Sequence, residues 1–166
     1  MHDNQHPLNE FYIQKIIQQL APAIEYLHTN NIIHCDLKLE NILLNFDQYL
    51  NVPTDGNLPP KIEFKDKSLN KTFTIKIADL GFSKDLLKDN SNSTIIGKKI
   101  SAAISPEMIN SEKTNKSYNT KTDLWSLGVI TYELLTGSSP FIGETTQELF
   151  EEIQKGKYLF LYECVV

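Results

Sequence analysis

The sequence predicts an α+β fold that is mostly helical and carries small β-hairpins. Apolar residues recur every three or four positions over 9–28, which is the spacing of a helix that buries one face, and 122–136 is a second helical segment that is apolar on nearly every side. Two short segments around HCDLKLENILL (34–44) and FTIKIADLG (73–81) have the apolar patterns of strands. The length of 166 residues, 40% of them hydrophobic, suffices for one domain with its own core.

The first helix is predicted over 9–28, where an apolar stripe begins at Phe11 and ends near Asn30. Pro22 lies inside this stripe. A proline in a helix interior removes one backbone hydrogen bond and clashes with the preceding turn, at a cost of about 3 kcal/mol. We therefore expect a kink or a break at this position.

The helix predicted over 122–136 is apolar on nearly every side, so we expect it to be buried all round. Thr122 or Asp123 can cap its start, and Gly137 can end it. A further helix is predicted within ETTQELFEEIQKG, residues 144–156.

Long polar segments separate these elements. Residues 45–72 contain VPTDG and LPP and far exceed the usual two to six residues of a connection, which predicts a surface insertion without core residues. Residues 83–104 are rich in serine, asparagine and lysine and are predicted to form a loop.

Composition excludes several classes of protein. The formal net charge of −5 argues against a nucleic-acid binder, because such proteins usually carry a basic excess. All 16 basic residues are lysines, so no guanidinium is available for bidentate phosphate binding. No apolar run reaches the length of a membrane span, and the polar start lacks the apolar centre of a signal peptide. Cys35 and Cys164 have no metal-ligand or disulfide spacing, so we expect a cytoplasmic protein without excluding the nucleus.

One polar cluster indicates chemistry. HCDLKLENILL places Asp36, Lys38 and Asn41 within six residues, directly before an apolar run. Such a cluster is either a solvated turn between strands or a phosphate and metal site. The sequence DLG at 79–81 follows the strand candidate TIKIA (74–78) and adds a second carboxylate, Asp79.

Four motifs in order resemble those of the eukaryotic protein kinases: HCDLKLENILL, DLG at 79–81, SPE at 105–107 and DLWSLGV at 123–129. The family's corresponding motifs are HRDLxxxN, DFG and APE. Lys38 resembles the serine/threonine class more than the tyrosine class. The resemblance runs from position 9 to about Tyr158. It implies that 1–166 is a partial kinase domain, a large lobe whose small lobe is missing.

This resemblance implies phosphoryl transfer from ATP to a protein substrate, helped by Mg²⁺. It assigns the catalytic loop to 34–41, the metal-binding loop to 79–81 and the activation segment to 82–107. Asp36 is expected to accept the proton of the substrate hydroxyl, and Lys38 to place its ammonium near the transferred phosphate.

The same resemblance assigns Asn41 and Asp79 as Mg²⁺ ligands, which with Lys38 bind the nucleotide. Leu43 is expected to touch the adenine, supported by Ile130 and Leu134. The family pattern also implies two structural roles: a buried hydrogen-bonding His34, and an Asp123 that tethers the catalytic loop.

Several positions depart from the family pattern. Cys35 replaces an arginine that contacts activation-loop phosphate, so switching by phosphorylation is not expected. Leu80 replaces phenylalanine and is expected to keep its packing place. Ile100 and Ala103 replace a threonine and an aromatic residue, which puts substrate docking in doubt. Glu107 is expected to be a buried carboxylate whose arginine partner is absent.

The sequence contains no glycine-rich phosphate loop and no strand lysine with a helix glutamate. Two hypotheses follow. The chain is a fragment of an active serine/threonine kinase, inactive on its own, or it is a non-catalytic kinase-like binding or scaffold module. In either case a bare apolar face is expected to attract a protein partner that the sequence does not identify.

Overall fold

The computed structural model describes residues 8–46, 73–87, 101–114 and 119–158. Within these ranges the chain forms helices and two small two-stranded antiparallel sheets, in agreement with the predicted mixture. None of the helices seen there is long and apolar enough to cross a membrane. In chain order the elements are α1 Glu10–Thr29, β1 Ile32–Ile33, a 3-10 turn Leu39–Asn41, β2 Ile42–Phe46, β3 Phe73–Ile77, β4 Lys84–Asp85, α2 Pro106–Thr114, α3 Lys121–Thr136 and α4 Thr146–Lys155.

Helix α1 runs without interruption through Pro22, so the expected break is wrong. The helix begins where the Asn9 side chain accepts a hydrogen bond from the Phe11 amide, at 3.0 Å. Its buried stripe includes Leu20 and Ile24, whereas Pro22 is exposed. The missing backbone hydrogen bond therefore lies on the solvent side, and packing of the other face keeps the helix whole.

Strands β2 and β3 form a hairpin that is fastened to α1. Their antiparallel register runs from Ile42 opposite Ile77 to Phe46 opposite Phe73. From α1, the Gln19 side chain donates to the Phe73 carbonyl at 3.3 Å and accepts from the Ile75 amide at 3.1 Å. Residues 45 and 46, which were expected to belong to the insertion at 45–72, are instead the last two residues of β2. Residues 47–72 lie outside the described part of the chain.

The second sheet pairs β1, directly before the predicted catalytic loop, with β4 in the predicted activation segment. Ile32 pairs with Asp85 and Ile33 with Lys84, and the Leu86 amide donates to the Asn31 carbonyl at 2.8 Å. Residues 84 and 85 were predicted to be loop. They form a strand because β1 offers unpaired backbone groups that lie far away in sequence.

Helix α3 contributes to two hydrophobic clusters. Its residue Val129 belongs to one cluster and Ile130 belongs to the other. The α1–hairpin cluster consists of Tyr12, Ile16, Leu20, Ile24, Leu37, Phe73, Ile75 and Ile130. The α2–α4 cluster consists of Ile33, Cys35, Ala103, Ile104, Met108, Ile109, Val129, Phe141 and Ile153.

The expectation that α3 is buried all round is wrong. Leu124 is 52% exposed, whereas the polar residues Thr122, Asp123 and Ser126 are buried. These polar side chains are buried because they bond to loops that lie elsewhere in the chain. The helix begins at Lys121, so neither Thr122 nor Asp123 is its N-cap. Gly137 ends it in the left-handed conformation, as predicted.

Helices α2 and α4 complete the second cluster. Helix α2, which the sequence patterns did not predict, starts directly after the buried Ser105. Helix α4 begins with a capping box between Thr145 and Glu148, and Gly156 ends it. Gly143 approaches this helix so closely that an added Cβ would lie 2.3 Å from the Leu149 nitrogen.

Candidate active site

The predicted catalytic loop is hydrogen-bonded to the carboxylate of Asp123, which is fully buried. Its Oδ2 accepts the His34 amide at 2.9 Å and its Oδ1 accepts the Cys35 amide at 3.0 Å. The tether that the family pattern implied is thus present in the structure. Cys35 has φ of 67°, a left-handed conformation that is uncommon outside glycine.

A third group, which sequence reasoning missed, also contacts Asp123. The Nε2 of His28, in the last turn of α1, lies 2.8 Å from Asp123 Oδ2. A basic residue in the last turn of a helix is ordinarily explained by the helix dipole. Nothing in the local sequence indicated that this histidine reaches α3.

The His34 ring connects the catalytic loop to the end of β3. Its Nε2 lies 3.1 Å from the Ala78 carbonyl oxygen, and its Nδ1 lies 3.3 Å from the Asp36 amide nitrogen. Since a carbonyl only accepts and an amide N–H only donates, the ring carries a proton on Nε2 and accepts at Nδ1. His34 is buried and has the packing and hydrogen-bonding role expected for it.

Three of the predicted site residues lie together. The Lys38 ammonium is 2.7 Å from Asp36 Oδ2, and Asn41 Nδ2 is 3.3 Å from the same oxygen. Asn41 Nδ2 also donates to the Asp36 carbonyl at 2.8 Å. Asp36 and Asn41 are buried, and Lys38 is half-buried. The cluster is therefore an ordered constellation rather than a solvated turn.

The backbone brings Asp79 to this loop. The Ala78 amide donates to the Asn41 carbonyl at 2.8 Å, so Asp79 follows a residue that is bonded to the catalytic loop. Asp79 is exposed, has φ of 62°, and accepts the Gly81 amide on Oδ1 at 3.1 Å. Among the residues described, no hydrogen bond joins the Asp79 side chain to Asn41 or Asp36.

The free oxygens of Asn41 and Asp79 suit a magnesium ion in chemical type. Asn41 uses Nδ2 for Asp36, which leaves its Oδ1 as a neutral oxygen ligand, and Asp79 retains Oδ2. Both are the hard oxygen ligands that Mg²⁺ prefers. The described ranges contain no group of three or more His, Cys, Asp or Glu side chains that could hold a metal alone. Phosphate oxygens are the natural source of the remaining ligands.

Leu43 lies on the open face of the hairpin. It is 51% exposed, whereas its strand neighbours Ile42 and Leu44 pack against the α1–hairpin cluster together with Leu134. Alternation along the strand directs Leu43 away from that cluster. Leu80 is also 51% exposed, so the expectation that it keeps a packing place is wrong. Residues 78–80 follow the end of β3, and no described element covers Leu80.

The end of the activation segment is held by α3. Ser126 Oγ donates to the Ala103 carbonyl at 2.8 Å, and Thr122 Oγ1 donates to Glu107 Oε1 at 3.0 Å. Glu107 is exposed, so the expected buried carboxylate without a partner is not found. Cys35 and Ala103 lie in the same apolar α2–α4 cluster. Ile100 lies outside the described residues.

Comparison with known proteins identifies the family of this chain. The family model for the protein kinase domain matches residues 1–163. The chain is 35% identical to the serine/threonine-protein kinase ATG1 of Pichia angusta over 93% of its length, and 33% identical to an Aurora kinase of Eremothecium gossypii over 92%. It is 35% identical to the serine/threonine-protein kinase 33 of Bos taurus over 87%.

The chain spans 18%, 33% and 26% of the lengths of these three relatives, respectively. The family model covers the residues of both the Asp36 loop and the Asp79 loop. The chain therefore belongs to the eukaryotic serine/threonine protein kinases.

Proposed function

We propose that this site transfers the γ-phosphoryl group of ATP to serine or threonine hydroxyls of a protein substrate. The observation that supports this most strongly is the contact of one carboxylate, Asp36, with both an ammonium and an amide. Phosphoryl transfer requires mainly positioning and cationic stabilisation. The three side chains provide a proton acceptor, a cation and an oxygen ligand within hydrogen-bonding distance.

Asp36 is proposed to be the general base. Its Oδ2 is occupied by Lys38 and Asn41, which leaves Oδ1 to accept the proton of the incoming hydroxyl. The two donors also fix the orientation of the carboxylate, so the reactive oxygen is positioned before substrate binds. The Lys38 ammonium lies beside this carboxylate, where it can stabilise the charge of the transferred phosphoryl group.

Asn41 and Asp79 are proposed to hold the Mg²⁺ that accompanies ATP, through Asn41 Oδ1 and the Asp79 carboxylate. Bound Mg²⁺ would neutralise charge on the phosphates. The exposed Leu43 side chain offers an apolar surface for the adenine. Leu43 and Leu80 are each about half exposed, and we propose that a second segment or a protein partner covers such exposed apolar side chains.

Phosphotransfer by the full-length protein tests the proposal, with the Asp36→Asn variant compared directly. Loss of a general base typically costs 10²- to 10⁴-fold, so we expect incorporation to fall by at least about 100-fold. The exposed Glu151 on α4 gives a matched carboxylate-to-amide control, Glu151→Gln, expected to retain activity. Equal incorporation by wild type and Asp36→Asn would refute the proposal and favour the non-catalytic binding module.

For the 166-residue chain alone we predict little or no turnover, because its sequence has no glycine-rich phosphate loop. Turnover by this chain that depends on Asp36 would contradict the prediction. The proposed location is the cytoplasm, where the buried Cys35 thiol stays reduced. Imaging of the tagged full-length protein tests the location.

A further inference from the structure

We propose that His28 is a positioning residue of the catalytic loop, acting through the carboxylate of Asp123. The description of the loop as catalytic rests on the function proposed above. The hydrogen-bonding part of the inference does not depend on it. The proposal begins from the fact that three donors converge on one buried carboxylate: a side chain of α1 and two backbone amides of the loop.

The donors are unequally divided between the two oxygens. Oδ1 accepts only the Cys35 amide, whereas Oδ2 accepts the His34 amide at 2.9 Å and faces His28 Nε2 at 2.8 Å. A fully buried carboxylate is costly unless hydrogen bonds satisfy it. Among the contacts of Asp123 within the described residues, His28 is the one side chain that donates a hydrogen bond. Without it, the two backbone amides alone would have to orient the carboxylate.

The orientation of Asp123 matters because its two amide partners immediately precede Asp36. One of these two partners, Cys35, has a left-handed backbone conformation. In a residue other than glycine this conformation costs of order 1–3 kcal/mol and persists only when the surrounding structure enforces it. The amides of His34 and Cys35 donate hydrogen bonds to Asp123 and so fix the backbone on the N-terminal side of the Cys35 Cα. If the Asp123 carboxylate rotated, its hydrogen bonds to the loop would weaken. Cys35 would then be free to leave its left-handed conformation, and Asp36 would shift relative to Lys38 and Asn41.

The surroundings of His28 allow this idea to be tested by substitution. The imidazole is 16% exposed and lines a cavity of about 400 Å³ between α1 and α3, which Glu25, Thr120 and Leu124 also line. The side chain belongs to neither hydrophobic cluster. Because Ile24 of the α1–hairpin cluster lines the same cavity, a matched pair of polar variants is needed to separate loss of the contact from a change in packing.

Two substitutions of His28 by an amide side chain distinguish a role in positioning the loop from a role in packing. The atom of His28 that meets Asp123 is Nε2, and the amide nitrogen of glutamine occupies a similar position along its side chain. His28→Gln therefore keeps a donor within reach. His28→Asn is polar in the same way but too short to reach Asp123, so it is the matched loss-of-contact variant.

Amide hydrogen exchange by NMR on the ¹⁵N-labelled chain gives the decisive readout. A hydrogen bond to a charged group is worth about tenfold or more in an opening equilibrium. We expect His28→Asn to accelerate exchange of the His34 and Cys35 amides about tenfold, with little change at Ile75, which is bonded to Gln19. We expect His28→Gln to restore rates near those of the wild type.

Unchanged exchange at His34 and Cys35 in the asparagine variant would overturn the proposal. So would acceleration spread evenly over the chain, or loss of the folded state, because either result would make His28 a general stabilising residue. In the full-length protein, His28→Asn is expected to lower kcat about tenfold without raising KM for ATP. A wild-type protein without turnover would contradict the proposed function and leave the exchange result to decide the role of His28.

Discussion

Replacing Asp123 by asparagine is the most informative single change to the fold of this domain. The carboxylate is fully buried and accepts two backbone amides, one on each oxygen, while His28 lies against Oδ2. Asparagine keeps one oxygen and replaces the other with an NH₂ group. One of the two amides, from either His34 or Cys35, would then face a donor instead of an acceptor.

The expected magnitude follows from these contacts. Each hydrogen bond to a charged group contributes about 1.5–3 kcal/mol, and a buried donor left without an acceptor costs about 1–3 kcal/mol more. The contact with His28 also loses its charge. We therefore expect Asp123→Asn to lower the free energy of unfolding by about 3–5 kcal/mol, the range observed when one member of a buried pair is removed. This is a large part of the 5–15 kcal/mol typical of a domain.

Urea denaturation followed by tryptophan fluorescence measures this change. The chain has a single tryptophan, Trp125 of α3, which stacks on Phe141 at 5.7 Å and so reports on the folded core. Glu25→Gln, an exposed carboxylate-to-amide change on α1, is expected to alter stability by no more than about 0.5 kcal/mol. A loss below about 1 kcal/mol for Asp123→Asn, at an unchanged m-value, would refute the reasoning.

Three further predictions concern α3 and α4. Gly143→Ala is expected to lower the free energy of unfolding by about 1–3 kcal/mol, because the new Cβ would collide with the backbone of Leu149; wild-type stability in urea would contradict this. Gly128→Ala is expected to raise stability by up to about 1 kcal/mol, because the helix interior has open space there; a destabilised variant would contradict it. Burial, together with the negative charge of Glu40, raises the pKa of Glu133. Its ionisation therefore opposes folding at neutral pH, so Glu133→Gln is expected to be the more stable protein at pH 7. That advantage is expected to shrink as the pH falls through the raised pKa towards the ordinary 4.5; an advantage independent of pH in urea titrations would count against this assignment.

The sequence indicated the cluster of Asp36, Lys38 and Asn41 because the three residues are neighbours along the chain. Their short spacing limits how far apart they can lie, and the 3-10 turn Leu39–Asn41 returns Asn41 to Asp36. The helix starting at Glu10 was likewise predictable, since its apolar stripe is a local signal. Local rules overestimated the effect of Pro22, because they do not include the packing of the opposite face of α1.

The contacts of α3 were less accessible from sequence. Its burial was assigned by counting apolar residues, yet Thr122 and Ser126 are buried because they bond to Glu107 and Ala103. The partnership of His28 with Asp123 joins residues 95 positions apart. Periodicity within one helix carries no information on such pairs, and only the folded arrangement of α1 against α3 reveals them.

The hairpin that places Phe46 opposite Phe73 has a consequence for how this domain can vary. These two strand ends adjoin, and doubling the length of a flexible connection between adjoining ends costs only about 0.6 kcal/mol. The opposite end of the same hairpin, where Ile42 pairs with Ile77, is held independently by the Ala78–Asn41 bond. We therefore expect a reporter domain joined between the ends of β2 and β3 to leave the Ile42–Ile77 end and the neighbouring loop unchanged.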